Sequence, residues 1–317
     1  MLKLLPKTFI EKINKIYTKE ELELIKKWFN TEKRNVVFRV NTLKTTNKRI
    51  EEYLWEKWLK IEKIPYLTNG YKLLEWKESD LWNLSFFKEG KIYLQWITSQ
   101  LIWEIADTKE WIKVLDLTAA PWWKTTHIAA KMNNTGKILA VELNSIRFDK
   151  LNFTVKRQWA TNIETLKENA LNLKEIYADW FFDLIIADLP CSAEWRINLN
   201  REKSYKFLEK EWINKKNYKL QKLIQEKNIR LLKKWWELIY STCTLDPSEN
   251  EWIVHFLLSN FPELELQDLW IENIPNSKPG LKWFGKQVFR KEISEKTLRI
   301  LPTEETEWFY IAKFKRN

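Results

Sequence analysis

Over the first sixty residues, apolar positions recur at spacings of three and four. KTFIEKINKIY and KEELELIKKWF each carry such a stripe, which predicts two amphipathic helices. VVFRVNTLK alternates like a half-buried strand, and KRIEEYLWEKWLK returns to helical spacing. Short strands and loops continue to about residue 92. From 93 onward the pattern changes. KVLDLTAA (113–120), KILAVEL (137–143), NIETLKEN (162–169), FDLIIADLP (182–190) and ELIYSTC (237–243) are short apolar runs, most of them separated by amphipathic segments of helical length. That alternation predicts an α/β fold, a parallel sheet flanked by helices. EWFYIAKFKR (307–316) reads as one more strand. The expected organisation is a small N-terminal α+β domain, residues 1–92, followed by a larger domain, residues 93–317.

Composition narrows the class. The chain has 317 residues, 44% hydrophobic and 31% charged, which suits a globular protein. It has no apolar run long enough for a membrane span, and MLKLLPKTFIEKINK is broken by charge too early for a signal peptide. Two cysteines, Cys191 and Cys243, cannot make a disulfide framework and suit a reducing cytosol, so a cytoplasmic location is expected. Net charge is +11, and residues 196–234 hold thirteen lysines and arginines against four glutamates. Such a strip is either a solvated helix surface or a face for a polyanion such as RNA.

Candidate chemistry gathers where open α/β sheets bind ligands, at the C-terminal ends of the expected strands. DLTAAPWWKTT follows the first strand. Glu142 ends the second, about 25 residues after Leu117, where an acid accepts hydrogen bonds from ribose hydroxyls. DLPCS (188–192) and STCT (241–244) place one cysteine at each of two further strand ends. Singly, each signal is weak: an acid at a strand end is usually surface, and a lone cysteine is usually a small buried hydrophobe. His127 and His255 sit in helical stretches without metal-ligand spacing, so no zinc or other metal site is expected. Asp246-Pro247-Ser248-Glu249 has the form of a helix start, with Asp246 as N-cap.

Together these stretches resemble the Sun (RsmB/RsmF-type) family of S-adenosylmethionine-dependent RNA cytosine-5 methyltransferases. AAPWWKTT is similar to the family's AAPGGKT loop and DLPCSAEWRI to its DAPCSGEG. KKWWELIYSTCTLDPSENEW is similar to KPGGxLVYSTCTLNPEENE. RVNTLK (39–44) and TEWFYIAKFKR resemble the N-terminal signature and the closing DGFFIAKFKK. The resemblance runs from about residue 35 to the C-terminus.

It implies a Rossmann-like class I methyltransferase sheet with helices on both faces, preceded by an RNA-binding α+β module. S-adenosylmethionine is then expected to contact Thr118, Ala119, Ala120, Pro121, Trp122, Trp123 and Lys124, with Glu142 at the ribose, Asn169 near the adenine and Asp188 at the methionine end. Asn169 departs from the family's aspartate. Arg147 matches a family arginine and fits either a structural salt bridge or a cofactor contact. Cytosine C5 becomes nucleophilic only after a thiolate adds to C6, and a second group must later remove the C5 proton. The residues alone leave open which cysteine attacks. The resemblance makes Cys243 the nucleophile, Cys191 the residue of elimination, Asp188 the partner of base N3, and Lys124 a support for Asp188 or the thiolate.

The implied substrate is single-stranded or looped RNA, because the base must leave its stack. The SAEW form after Cys191 is closer to the RsmF-like branch, which modifies 16S ribosomal RNA. A tRNA target is the competing reading, and a non-catalytic ribosome-assembly factor on the same scaffold is the rival from another class. An amino-methyltransferase is disfavoured, since Asp-Leu-Pro-Cys replaces Asn/Asp-Pro-Pro-aromatic. A monomer is expected.

One feature departs sharply from the family. The chain has 20 tryptophans and 5 glycines, against a usual glycine content of about 7%. Trp122, Trp123, Trp159, Trp195, Trp235, Trp236, Trp252 and Trp308 stand where the family has, or readily takes, glycine. A source that reads UGA as glycine would account for both facts. Literal indoles at 122 and 123 are expected to crowd the cofactor's methionine end.

Overall fold

The computed structural model describes residues 4–31, 34–75, 77–119, 123–210, 212–269, 274–303 and 306–317. Two helices open the chain, α1 (Lys7–Ile16) and α2 (Lys19–Asn30). Thr18 starts α2 with a capping box: its hydroxyl accepts from the Glu21 amide at 3.3 Å, and the Glu21 carboxylate accepts from the Thr18 amide at 2.9 Å. The apolar faces of the two helices bury Phe9, Ile13, Ile25, Trp28 and Phe29. Their partners lie far along the chain: Ile197, Leu199, Leu245 and Leu301.

Next comes a four-stranded antiparallel sheet. It uses β1 (Val36–Val40), β2 (Ile61–Lys63), β3 (Gly70–Leu73) and β4 (Ile92–Leu94) in the order β2-β3-β1-β4. Helix α3 (Asn47–Glu56) lies between β1 and β2, and the short α4 (Glu78–Trp82) and α5 (Ser85–Lys88) precede β4. Phe38, Ile50, Leu54 and Tyr71 form its own small core.

After α6 (Ile97–Ile105), five parallel strands alternate with helices. They are β5 (Lys113–Asp116), β6 (Lys137–Val141), β7 (Ile163–Leu166), β8 (Phe182–Asp188) and β9 (Leu232–Thr242). The intervening helices are α7 (Trp123–Lys131), α8 (Ser145–Gln158), α9 (Leu173–Ile176) and α10 (Trp212–Asn228). Beyond β9 come α11 (Glu251–Asn260), β10 (Leu264–Gln267), β11 (Ser277–Pro279), a separate hairpin of β12 (Trp283–Phe284) and β13 (Gln287–Val288), α12 (Lys291–Lys296), β14 (Leu298–Ile300) and β15 (Phe309–Arg316). The spatial order is β7-β6-β5-β8-β9-β15-β14-β11, with β10 on β15 and β15 antiparallel to β9.

Period-two alternation covers both faces of this sheet. Leu184 and Ile186 of β8 pack with α6 and α7, while Ile185 and Ala187 pack in the core that holds α10 and α11. The fold is a Rossmann-like α/β sheet with helices on both sides. Strand order reverses between β5 and β8, so their C-terminal ends open a ligand crevice.

Strand β9 begins five residues before the expected 237. Phe182 pairs with Leu232, yet Leu184 already pairs with Glu237, so the residues between bulge outward. Exposed lysine and a left-handed residue, Trp235 (φ 68°), hide that segment's strand character in the sequence. Among the described residues, five tryptophans adopt positive φ: Trp58, Trp111, Trp159, Trp180 and Trp235. Trp159 ends α8 as a left-handed cap, φ 59° and ψ 33°, where helices usually place glycine. The other expected glycine positions differ. Trp195, Trp236 and Trp252 are half-buried on ordinary backbone, and Trp308 is buried with its ring 5.7 Å from Tyr17. Ala120, Pro121 and Trp122 lie outside the described residues, and Trp123 opens α7.

Candidate active site

Strands β8 and β9 run parallel, with Asp188 opposite Ser241. That register carries the two following loops out of the sheet side by side. Cys191 and Cys243 consequently meet, their sulfurs 3.1 Å apart, both free and half-buried. The two sulfurs are hydrogen-bonded to each other, and this contact is the largest influence on both thiols. It lowers the pKa of Cys243 and raises that of Cys191. Burial pushes both upward, and the Lys124 ammonium offsets it at Cys243. Charge is thus favoured on Cys243 over Cys191.

Asp188 ends β8 beneath this pair. Its carboxylate accepts from the Ser241 hydroxyl at 2.7 Å and pairs with Lys124, while its backbone carbonyl accepts from the Thr118 hydroxyl at 2.7 Å. Lys124 lies in the first turn of α7, where burial lowers its pKa, with its ammonium 5.7 Å from the Phe309 ring centre. Asp116, at the end of β5, anchors the same turn. It accepts from the Thr125 hydroxyl at 2.7 Å and the Thr118 amide at 3.3 Å, and burial pushes its pKa up to about 6.

A cavity of about 510 Å³ opens at the ends of β5 and β6, bordered by Thr118, Glu142, Arg147, Asn169, Pro190 and Ile224. Glu142 is buried; one carboxylate oxygen accepts from the Asn144 amide at 2.8 Å, and the other lies 3.5 Å from the Arg147 guanidinium. The Asn169 side-chain carbonyl accepts from the Leu171 amide at 3.1 Å. Volume, a buried acid, an amide and an apolar wall suit a nucleoside-sized ligand. Pro190 borders the cavity and precedes Cys191 in the chain, so cavity and sulfur pair share one wall. Thr118, Glu142, Arg147 and Asn169 are brought together here, and Lys124, Asp188, Cys191 and Cys243 beside them.

Three residues of the site are not read as such from the sequence. Ser241 has been named. Glu249 was expected to close a helix start on Asp246, but α11 begins at Glu251. Its buried carboxylate instead accepts from the Ser192 amide and from Gln221, both at 3.0 Å. Asp246 caps a turn, accepting from the Ser248 amide at 2.9 Å. Glu307 is also buried, two residues before Phe309, and burial pushes its pKa up to about 7. Among the described residues no cluster of metal-ligating side chains occurs, and no helix is long and apolar enough to cross a membrane.

Comparison with known proteins places this geometry. A sequence model of the 16S rRNA methyltransferase RsmB/F family matches residues 104–315. The tRNA (cytosine(49)-C(5))-methyltransferase of Pyrococcus abyssi is 32% identical over 285 residues, 88% of this chain and 87% of that one. Ribosomal RNA small subunit methyltransferase F of Shewanella piezotolerans is 29% identical over 88% of this chain, which spans 57% of its length. A solved methyltransferase homologue from Pyrococcus horikoshii superposes with a TM-score of 0.83 at 26% identity, covering 100% of this chain and 97% of its own. The chain belongs to the 16S rRNA methyltransferase RsmB/F family.

Proposed function

We propose that this chain, an S-adenosylmethionine-dependent RNA cytosine-5 methyltransferase, methylates a cytidine of small-subunit ribosomal RNA through a covalent bond from Cys243 to C6 of the base. The observation that carries the reading is the sulfur pair at 3.1 Å beside the Lys124–Asp188 ion pair, an arrangement that favours negative charge on Cys243.

The Cys243 thiolate adds to C6 as N3 takes a proton from solvent water, and the Asp188 carboxylate stabilises that protonated form. The C5=C6 bond is thereby converted to an enamine. When bound, S-adenosylmethionine supplies an electrophilic methyl group to C5. A solvent water then takes the C5 proton, the C5=C6 bond re-forms, the Cys243 sulfur leaves as thiolate and the N3 proton returns to solvent. Cys191, hydrogen-bonded to that sulfur in the resting enzyme, assists its release. Lys124 holds the Asp188 carboxylate and favours the thiolate. Thr118, Glu142, Arg147 and Asn169 hold the cofactor, with Glu142 at the ribose and Asn169 at the adenine.

Arg34, Arg196 and Arg201 border a cavity of about 480 Å³ on the Cys191 side. Exposed Lys215, Lys216, Lys219 and Lys227 line the outer face of α10, whose inner face buries Gln221, Ile224, Gln225 and Asn228. Both features support a path for RNA phosphates, and a ribosomal substrate places the enzyme in the cytoplasm. A tRNA target is the second reading, favoured by the relative that aligns over most of both chains.

Bisulfite sequencing of 16S rRNA and tRNA, with and without the gene, decides between them. Loss of one 5-methylcytidine in 16S rRNA is expected. Loss in tRNA overturns the ribosomal assignment, and loss nowhere overturns both.

We also infer that several tryptophans stand for glycine in the natural protein. Support comes from the left-handed backbone at Trp58, Trp111, Trp159, Trp180 and Trp235, a region that bulky residues avoid. UGA codons at these positions are expected, and UGG there overturns the idea.

A further inference from the structure

We infer that Lys12, on the N-terminal helix α1, is a positioning residue that locks the two cysteine loops in register. The inference rests on the reading of Cys191 and Cys243 as the reacting pair. The loops face each other residue for residue. At the cysteines the sulfurs are 3.1 Å apart. One residue on, the hydroxyls of Ser192 and Thr244 are hydrogen-bonded at 2.6 Å. Three residues on, each loop presents a carboxylate, Glu194 and Asp246, and a single ammonium joins them: Lys12 Nζ lies 2.8 Å from Glu194 Oε1 and 2.8 Å from Asp246 Oδ2.

That third rung cannot close without a cation. Both carboxylates are buried, with side-chain exposures of 0% and 7%, and two desolvated anions sharing one spot repel. The other Glu194 oxygen accepts from the Leu245 amide at 2.9 Å, so the glutamate already grips the Cys243 loop through backbone. Helix α1 is itself pinned beneath the loops, with Phe9 and Ile13 packed in one core with Ile197 and Leu245. Two distant parts of the chain converge on one distance. A helix 182 and 234 residues away from the two carboxylates holds the spacing on which thiol-to-thiol proton sharing depends.

A buried ion pair that served stability alone would not set the sulfur separation, so the test reads that separation. The chain has only two cysteines. Diamide joins their thiols as a disulfide and takes up the two hydrogens, and mass spectrometry after alkylation follows the loss of both free thiols. The wild-type chain is expected to close the bond readily, K12R at a similar rate, and K12M at least about tenfold more slowly while keeping a native circular dichroism spectrum.

A natively folded K12M that closes at the wild-type rate overturns the inference. Equilibrium dialysis with radiolabelled S-adenosylmethionine should give wild-type affinity for K12M, because Glu142 and Asn169 lie on other strand ends. Cofactor affinity falling in step with disulfide closure also overturns it, since the lesion would then be general. If K12M does not fold, D246N cuts only the tie to the Cys243 loop and must also slow closure; a wild-type rate there overturns the inference. No RNA enters the assay, so failure here is distinct from failure of the methylation reading.

Discussion

The cofactor pocket and the cysteine cleft occupy neighbouring strand ends but are held together in opposite ways. The acid of the pocket is set by its own segment: Glu142 bonds the amide two residues on and faces Arg147 five residues on. Asn169 likewise bonds Leu171. The cleft is assembled from across the chain. Its sulfurs are 52 residues apart, Ser192 is held by a carboxylate 57 residues away, and Lys12 reaches 182 and 234 residues. Local wiring makes the pocket separable: damage there should weaken the cofactor and little else. Distributed wiring makes the cleft sensitive to changes far from the chemistry, where displacements of about 1 Å can cost 100-fold in rate.

The largest effect expected from this contrast is at the sulfurs. C243S should reduce methyl transfer by more than about 1,000-fold and form no covalent RNA adduct, since a hydroxyl near neutral pH is a far weaker nucleophile. C191S should instead transfer the methyl and then stall, leaving a protein–RNA adduct visible on a denaturing gel. An adduct from C243S and none from C191S would reverse the roles.

Breaking the pocket should give a smaller and cleaner loss. On the proposed reading E142A removes a buried acceptor for the ribose hydroxyls, and hydrogen bonds to a charged group contribute about 1.5–3 kcal/mol. The expected result is a rise of about 10- to 100-fold in KM for S-adenosylmethionine. Diamide closure of the cysteine pair should stay at the wild-type rate. If both change together, the two halves are not separable.

Acid stability sharpens the cleft side. Burial would raise the Asp246 carboxyl, but Lys12 overcomes it and holds the pKa down to about 2. A depressed folded pKa adds stability that is complete above the unfolded value near 4 and is lost as pH falls toward 2. The wild-type chain should therefore lose about 2 kcal/mol from this group between pH 5 and pH 2. D246N, which has nothing to protonate, should show a correspondingly shallower loss in urea unfolding across that range. Parallel pH curves for the two chains would mean that Lys12 does not stabilise the carboxylate.

This division also marks what the sequence reveals. Strand ends, the PC and TC cysteines and Glu142 stand out because each sits at the end of a short apolar run, whereas Asp188 and Lys124 stand out only through the family resemblance. Glu249 misleads for the same reason: its spacing from Asp246 fits a local cap, whereas burial and the Ser192 amide draw it across the cleft. Lys12 is one of several lysines on an amphipathic helix, and nothing in its neighbours announces two carboxylates near positions 191 and 243. Ion pairs across hundreds of residues leave no periodicity to read. Strand β9 shows a third case, since a half-buried and an exposed lysine and a left-handed tryptophan hide its first five residues.

The smallest effect concerns backbone strain remote from both halves. Trp159 ends α8 at φ 59°, with its indole 60% exposed and the Lys44 ammonium 4.3 Å from the ring centre. A left-handed conformation costs a residue with a Cβ roughly 1–2 kcal/mol, and an exposed cation–π contact returns about 0.5–1 kcal/mol. The backbone cost wins by a small margin. W159G should therefore stabilise the chain by about 0.5–1 kcal/mol, raising Tm by roughly 1–3 °C for a protein of this size. Catalysis and cofactor binding should be unchanged, because Trp159 touches neither the pocket nor the cleft. W235G, also left-handed and exposed within the β9 bulge, should shift Tm the same way. If both substitutions lower Tm instead, the indoles are native packing elements, and glycine is not the residue these two positions are built for.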